Sequence, residues 1–171
     1  MAAPTYHFWI KPTGEPYALF AGIIRDLARQ LGVQPFEPHV TLLGYLAGTE
    51  AEHVQRAREL SALLRPYEMT LTEPAWLDEH FRSLFMIVAQ TPEVMNVHAE
   101  ALAMYGRSGE AYTPHLSLVY GILPEDVKRS VVATLPPGVR TSFTVRSLIL
   151  LRSESMEPAD WHEILELPFR D

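Results

Sequence analysis

Two short segments of this chain repeat one pattern: a proline and a histidine, then an apolar residue, a hydroxyl residue and a leucine. They are Pro38–Leu42 and Pro114–Leu118. Each segment predicts a short apolar strand introduced by its proline. Strands and helices alternate in a loosely similar order around both copies, so the repeat predicts a pseudo-duplicated α+β fold. In such a fold we expect the two strands to come together around a shared central cleft.

The elements predicted around the repeat support this order. Further strands are predicted at Tyr6–Lys11, Glu68–Leu77, Leu84–Ala89, Ser142–Leu151 and His162–Leu167. Helices are predicted from Pro16 to Leu31, closed by Gly32, and after Thr49, Thr91 and Pro124. The chain lacks a glycine-rich strand-to-helix turn and its strand pairs adjoin, which favours antiparallel sheets flanked by helices. With 171 residues, we expect one domain, 1–171, made of two lobes.

Composition limits the classes of partner. Hydrophobic residues form 47% of the chain, enough for a core, and 21 acidic against 14 basic side chains give a formal charge of −7. Proteins that bind long nucleic acids usually cluster Lys and Arg, so a small anionic substrate is favoured over long RNA. The chain has no cysteine, which excludes disulfides and thiolate chemistry. No signal-like segment or long apolar run is present, so we expect a cytoplasmic protein without a membrane partner.

The repeat places an imidazole beside a hydroxyl in each predicted strand. Alternate side chains of a strand face opposite sides of a sheet. His39 and Thr41 therefore share one face, while Val40 and Leu42 point to the core. His115 and Ser117 share a face in the same way. Facing each other across a cleft, the two pairs supply two proton-transfer groups and two hydroxyl donors.

That set suits phosphodiester hydrolysis without a metal or other cofactor. One neutral histidine takes a proton from water and one protonated histidine gives a proton to the leaving oxygen, each step contributing about 10²–10⁴ in rate. The unperturbed histidine pKa of about 6.5 allows both states near neutral pH. The hydroxyls can bind the nonbridging phosphate oxygens. No metal-ligand spacing such as H-E-x-x-H occurs in the chain.

The doubled motif resembles the paired signatures of the two-histidine (2H) phosphoesterases, and the chain looks most like the eukaryotic cyclic phosphodiesterases among them. The resemblance covers nearly the whole chain. Besides the two motifs, it rests on Tyr6–Trp9, Thr91–Met95, Thr113–Tyr120 and Trp161. Gly44 and Tyr45, which follow the first motif, depart from the family pattern.

The resemblance implies a bilobal fold in which both motifs line a water-filled cleft. It implies hydrolysis of ADP-ribose 1″,2″-cyclic phosphate and of nucleoside 2′,3′-cyclic phosphates, the latter to 2′-phosphates. Carried onto matching positions, His39 and His115 are the expected catalytic pair, and Thr41 and Ser117 are expected to bind phosphate. Tyr120 matches an aromatic residue that contacts substrate, and Trp9 matches a cleft-facing tryptophan.

Local sequence patterns do not decide whether Trp9 and Tyr120 face the cleft. Trp9 shares a strand face with His7 and Lys11, so its indole can stack on a base or simply pack in the sheet. Tyr120 lies on the face opposite Ser117 unless the strand ends or bulges before Gly121.

Four further residues are assigned from their surroundings in the sequence. We expect His53 and His98 on solvated helix faces. His80 and Arg82 fall in a loop that could border the cleft, although a surface loop is the simpler prediction.

Two rival functions remain at this stage. The first is a 2H protein acting on RNA ends, as a 2′-5′ phosphodiesterase or a ligase-like protein. The second is a nucleotide-binding module without hydrolytic activity. The acidic balance weighs against a long RNA substrate, and binding alone would not require two imidazoles. We therefore expect a monomer that acts on a small cyclic-phosphate nucleotide.

Overall fold

A computed structural model describes residues 3–170 of the chain. The strands are β1 (Thr5–Ile10), β2 (Val40–Leu46), β3 (Tyr67–Ala75), β4 (Leu84–Val88), β5 (His115–Val119), β6 (Thr141–Val145), β7 (Ser147–Ser153) and β8 (Trp161–Pro168). The helices are α1 (Gly14–Leu31), α2 (Glu50–Leu63), α3 (Pro92–Ala103) and α4 (Glu125–Thr134), with short 3₁₀ turns at His80–Arg82, Pro137–Val139 and Pro158–Asp160. The predicted α+β class is confirmed. No helix in this part of the chain is long and apolar enough to cross a lipid bilayer.

Several helix ends follow directly from the sequence. Helix α1 ends at Gly32, which adopts a φ of 68°, a left-handed conformation that suits glycine. Helix α2 begins with a capping box, in which Thr49 and Glu52 satisfy each other's backbone N–H groups. In α3, the Thr91 hydroxyl accepts a hydrogen bond from the backbone N–H of Val94 at 3.3 Å. The helices therefore start and stop close to the predicted residues.

All eight strands form one antiparallel sheet in the order β6-β3-β4-β5-β2-β1-β7-β8. The strands that carry the repeated motif, β2 and β5, are neighbours at its centre, where Val40 is paired with Leu116. They join two four-stranded halves, one from each lobe. The predicted meeting of the two motif strands is confirmed.

One predicted strand is wrong. The segment Ser142–Leu151 contains two strands, β6 and β7, interrupted at Arg146. Strand β6 pairs with β3 at one edge of the sheet, whereas β7 lies between β1 and β8 in the other half. No glycine or proline marks the break, so the local pattern is that of one strand. Strands β6 and β7 are distinct only because they pair with different neighbouring strands.

The main core lies on the face of the sheet opposite the motif histidines. Val40, Leu42, Leu116 and Leu118 are buried there, as their alternation predicts. The helices cross between the lobes, because α1 packs against β5 and α3 packs against β2. This exchange ties the two motif strands to helices from opposite halves.

The expectation that His53 and His98 are solvated is wrong, because both are buried. His53 Nδ1 lies 2.8 Å from the Tyr105 hydroxyl, and His98 Nδ1 lies 2.8 Å from the carbonyl oxygen of Leu42. Their helix faces pack against the sheet, where each Nδ1 has a partner and each Nε2 is buried without one. A helical sequence pattern with mixed polarity did not reveal this packing.

Candidate active site

The register between β2 and β5 brings the four motif side chains together. With Val40 opposite Leu116, the pairing sets His39 opposite Ser117 and Thr41 opposite His115. Opposed residues on one face of an antiparallel pair have Cβ atoms about 4.5–5.5 Å apart. The two imidazoles thus lie on one diagonal and the two hydroxyls on the other. We call these four residues the motif quartet; all four line one cavity of about 690 Å³.

Both imidazoles are held in the same way. His39 Nδ1 lies 2.6 Å from the carbonyl oxygen of Glu37, and His115 Nδ1 lies 2.9 Å from that of Thr113. A carbonyl oxygen only accepts hydrogen bonds, so Nδ1 carries the proton in each ring. In each case the carbonyl belongs to the residue two positions before the histidine. Both rings therefore keep Nε2 for proton exchange.

The electrostatics of the site favour neutral histidines. Burial lowers the pKa of His39 to about 3, an effect that the Glu37 carbonyl opposes and the nearby His115 reinforces. Burial also lowers the pKa of His115, opposed by the Thr113 carbonyl and reinforced by Arg82. Because desolvation penalises the charged form, both imidazoles are unprotonated near neutral pH. An anion bound in the cleft would raise both pKa values.

Trp9 lies in the wall of the cleft, directly against His39. The two rings stack with centroids 3.5 Å apart and planes 8° from parallel, and Trp161 meets both edge-on. Trp9 is only 4% exposed. The interpretation of Trp9 as an open platform for a base is therefore not supported by the structure. Its indole supports the imidazole of His39 instead.

Tyr120 reaches the site because β5 ends at Val119. Gly121, with a φ of 118°, turns the chain immediately afterwards. The Tyr120 hydroxyl lies 3.4 Å from His39 Nε2, and its ring stacks on Phe36 with centroids 3.8 Å apart. Burial raises the pKa of Tyr120, so this hydroxyl keeps its proton. The strand end that the sequence required for this contact is present.

The turn His80–Arg82 borders the cleft and its His80 is exposed, so it lies at the surface as predicted and also at the cleft, the alternative that the sequence left open. Ser117 Oγ donates a hydrogen bond to the carbonyl oxygen of Phe81 at 2.8 Å, which fastens the turn to β5. Arg82 pairs with Glu79 at 2.7 Å and is the one Lys or Arg among the described residues that line the cavity. No sequence pattern signals this contact, because it depends on long-range packing.

Two aromatic side chains that the sequence analysis missed support β2 from behind. Tyr112 donates its hydroxyl hydrogen to the carbonyl oxygen of Thr41 at 3.1 Å, and the His98 ring bonds the next carbonyl, that of Leu42. The rings of Tyr112 and His98 stack, with centroids 3.9 Å apart. These two side chains therefore satisfy two successive backbone carbonyls of β2.

The quartet can exchange protons at two Nε2 atoms and donate a hydrogen bond from Thr41, while the Ser117 hydroxyl donates to the Phe81 carbonyl. Within residues 3–170, no three His, Cys, Asp or Glu side chains form a group that could hold a metal ion. The arrangement therefore favours acid–base chemistry on an anion bound between the imidazoles.

Comparisons with known proteins agree with this architecture. A family model described as the 2′-5′ RNA ligase superfamily matches residues 16–157. A cyclic phosphodiesterase of Arabidopsis thaliana is 28% identical over 128 residues, which are 73% of this chain and 70% of that protein. Escherichia coli LigT, solved with 3′-AMP, has a TM-score of 0.67 at 15% identity over 99% of this chain and 100% of its own. A Thermus thermophilus protein gives the same TM-score and identity over 97% and 98% of the two chains.

Proposed function

This chain belongs to the 2′-5′ RNA ligase superfamily, the 2H phosphoesterases, and we propose that it is a metal-independent cyclic phosphodiesterase acting on small nucleotides. The proposed substrates are nucleoside 2′,3′-cyclic phosphates, opened to 2′-phosphates, and ADP-ribose 1″,2″-cyclic phosphate. The carrying observation is the pair of imidazoles, each anchored through Nδ1 to a backbone carbonyl and each presenting Nε2 to one cleft. The Arabidopsis thaliana relative, described as a cyclic phosphodiesterase, and LigT structures with 3′-AMP and ATP support the substrate class.

The proposed reaction needs one proton acceptor and one proton donor. One neutral Nε2 of the His39–His115 pair removes a proton from water as the water oxygen bonds to phosphorus. The other histidine, protonated, gives its proton to the ribose oxygen as the phosphorus–oxygen bond to that oxygen breaks. For a 2′,3′-cyclic phosphate the departing oxygen is O3′, which leaves a 2′-phosphate. Each proton transfer contributes about 10²–10⁴ in rate.

The remaining groups of the site bind the phosphate. Thr41 presents its hydroxyl on the same face as the histidines, and Tyr120 adds a protonated hydroxyl beside His39 Nε2. The Ser117 hydroxyl, which donates to the Phe81 carbonyl in the structure, binds the phosphate once it releases that carbonyl. Hydrogen bonds from such fixed donors stabilise charge that develops on the nonbridging oxygens. The bound phosphate anion also raises the pKa of both imidazoles. Substrate binding thereby supplies the protonated histidine that burial disfavours.

The test combines a product assay with matched histidine variants. Adenosine 2′,3′-cyclic phosphate and ADP-ribose 1″,2″-cyclic phosphate are incubated with the protein in excess EDTA, and 2′- and 3′-monophosphates are resolved. We expect 2′-phosphate from the nucleotide, and a fall in kcat of at least about 10² in His39→Ala and in His115→Ala. His162→Ala, an exposed histidine on β8, is the control. Undiminished turnover in either folded catalytic variant overturns the mechanism.

The same assay separates the two rival functions. A 2′-5′-linked dinucleotide cleaved faster than the cyclic phosphates indicates the RNA-end activity. Nucleotide binding without turnover of any substrate indicates the non-catalytic module. Activity that is lost in EDTA and restored by a divalent ion contradicts the metal-independent proposal.

A further inference from the structure

Tyr45 occupies a strained and exposed position at the rim of the cleft. Its φ is 55°, and between residues 3 and 170 it is the one non-glycine residue with a positive φ. The left-handed region is unfavourable for a bulky side chain. Burial does not compensate for this strain, since 69% of Tyr45 is exposed. Residues held in such conformations cluster at ligand-binding sites.

The conformation of Tyr45 is built around His7. The Tyr45 backbone N–H donates to His7 Nδ1 at 3.4 Å, and the two rings meet edge to face with centroids 5.2 Å apart. Gly44 makes room for this approach, because a Cβ atom there would lie 3.0 Å from His7 Nδ1.

This end of the cavity is aromatic and uncharged. With Nδ1 of His7 accepting from Tyr45, Nε2 carries the proton and donates to Thr5 Oγ1 at 3.3 Å. Burial lowers the pKa of His7 to about 4, so the ring is neutral near pH 7. Leu151, which pairs with His7 between β1 and β7, adds apolar surface to the same lining, while the carboxylate of Glu154 is paired with Arg152 at 2.7 Å. Such a surface suits a nucleobase better than a phosphate.

The position of this end relative to the quartet suggests how a ligand spans both. His7 precedes Trp9 by two residues on β1, roughly 7 Å at about 3.4 Å per residue, and Trp9 is paired with Thr41. At the opposite end, Tyr120 and Trp161 surround His39. The cavity therefore continues past Thr41 to Tyr45, where the proposed chemistry uses no side chain.

Resting on the proposed function, we infer that Tyr45 and His7 form a second subsite, which binds an aromatic base separated from the cyclic phosphate by a phosphate or pyrophosphate linker. The exposed Tyr45 ring stacks on that distal base. Binding energy from this remote contact stabilises the complex while the cyclic phosphate lies between the histidines. The preferred substrates are then larger than a single cyclic nucleotide.

The experiment compares kcat/KM for three substrates in matched variants. Adenosine 2′,3′-cyclic phosphate lacks a distal base, a diadenosine dinucleotide ending in a 2′,3′-cyclic phosphate carries one across a phosphate, and ADP-ribose 1″,2″-cyclic phosphate carries one across a pyrophosphate. Tyr45→Asn removes the ring but tolerates the left-handed backbone, and Tyr45→Phe keeps the ring. Leu63→Asn, at an exposed apolar residue outside the cavity, is the control.

We expect Tyr45→Asn to lose about tenfold in kcat/KM on at least one distal-base substrate, because stacking of one base on an aromatic ring contributes on the order of tenfold in affinity. The mononucleotide is expected to change less than about twofold, and Tyr45→Phe to resemble the wild type. Which of the two larger substrates responds identifies the linker. A loss that is equal on all three substrates, or absent from all three, overturns the subsite.

Binding measurements test the subsite independently of whether the protein hydrolyses the proposed substrates. Adenosine 2′-phosphate and the corresponding diadenosine 2′-phosphate are titrated by calorimetry into wild type and Tyr45→Asn. ADP-ribose is titrated in the same way. If no substrate is hydrolysed, the proposed function fails. A selective loss of affinity for diadenosine 2′-phosphate or ADP-ribose would still support the subsite, and equal affinities in both proteins would overturn it.

Discussion

The imidazole of His39 lies flat against the indole of Trp9, with ring centroids 3.5 Å apart. The π face of tryptophan attracts a cation, and more strongly when the pair is removed from water. This contact therefore stabilises the protonated form of His39, whereas burial of the ring favours the neutral form. The two effects oppose each other at a group that must change its charge during turnover.

Replacing Trp9 tests this balance. We expect Trp9→Leu to lower the pKa of His39 in the substrate complex and to lower kcat on the order of thirtyfold, since a desolvated cation–π contact is worth about 2 kcal/mol or more. Trp9→Phe retains a π face and is expected to fall between Trp9→Leu and wild type. The measurements are the kcat–pH profile and an NMR titration of His39. A loss of thermal stability with an unchanged titration would indicate packing alone.

The two hydroxyls of the quartet are predicted to act differently. Ser117 donates its single hydroxyl hydrogen to the Phe81 carbonyl, so Ser117→Ala is expected to release the turn His80–Arg82 in addition to removing the hydroxyl that is proposed to turn to the phosphate. Thr41→Ala is expected to lower kcat without this release. Amide hydrogen exchange at Phe81 and Arg82 distinguishes the variants, since faster exchange is expected only in Ser117→Ala. Equal exchange in both variants would contradict the anchoring role.

Arg82 is predicted to attract the substrate anion and to lower the pKa of His115. Its guanidinium lines the cavity and lowers the pKa of His115. We therefore expect Arg82→Gln to raise KM severalfold and to raise the pKa of His115. The alkaline limb of the pH profile then moves to higher pH. Arg129→Gln, in an exposed i,i+4 pair on α4, is the control for loss of one positive charge. Identical pH profiles for Arg82→Gln and Arg129→Gln would show that Arg82 does not influence His115.

The sequence predicts the quartet well because its geometry depends on two short-range rules. Alternation along a strand places His39 beside Thr41 and His115 beside Ser117 on one face. Pseudo-duplication then predicts that the strands are neighbours, and the observed pairing of Val40 with Leu116 completes the square. Tyr120 required one further condition, the end of β5, which the residues around Gly121 satisfy.

Features that depend on tertiary contacts could not be predicted from the sequence. The break at Arg146 exists because β6 and β7 pair in different halves of the sheet, and no residue type marks it. The burial of His53 and His98 depends on how α2 and α3 pack. Arg82 reaches the cleft because Ser117, far along the chain, binds its turn. None of these relationships can be predicted from the short-range periodicity of a helix or strand, because each depends on residues far apart in the sequence.

Tyr112 is predicted to position the strand that carries Thr41. Its hydroxyl donates to the Thr41 carbonyl, so Tyr112→Phe leaves that carbonyl without this partner. We expect a loss of about 1 kcal/mol in the free energy of unfolding together with a lower kcat and little change in KM. Tyr67→Phe is the matched control, because the Tyr67 hydroxyl is buried without a hydrogen-bond partner and its removal should be neutral or stabilising. A similar kcat in both variants would indicate that Tyr112 has no positioning role.

The lowered pKa values of His39 and His115 predict different pH profiles for free and bound enzyme. Turnover requires one neutral and one protonated histidine, a state that exists between the two macroscopic pKa values of the pair. In the free enzyme burial lowers both pKa values below the ordinary 6.5, and that of His39 falls to about 3.

The bell-shaped pH profile of kcat/KM, which reports the free enzyme, is therefore expected to centre on the acidic side of pH 6.5. In the complex the phosphate anion raises both values, so the bell for kcat should centre at higher pH. Profiles measured from pH 2.5 to 9 at constant ionic strength, with chemistry shown to be rate-limiting, check this order and include the acidic limb expected from His39. A kcat/KM bell centred at or above that of kcat, or a rate that rises monotonically with pH, would contradict a mechanism in which the bound substrate anion favours the protonated form of one buried histidine.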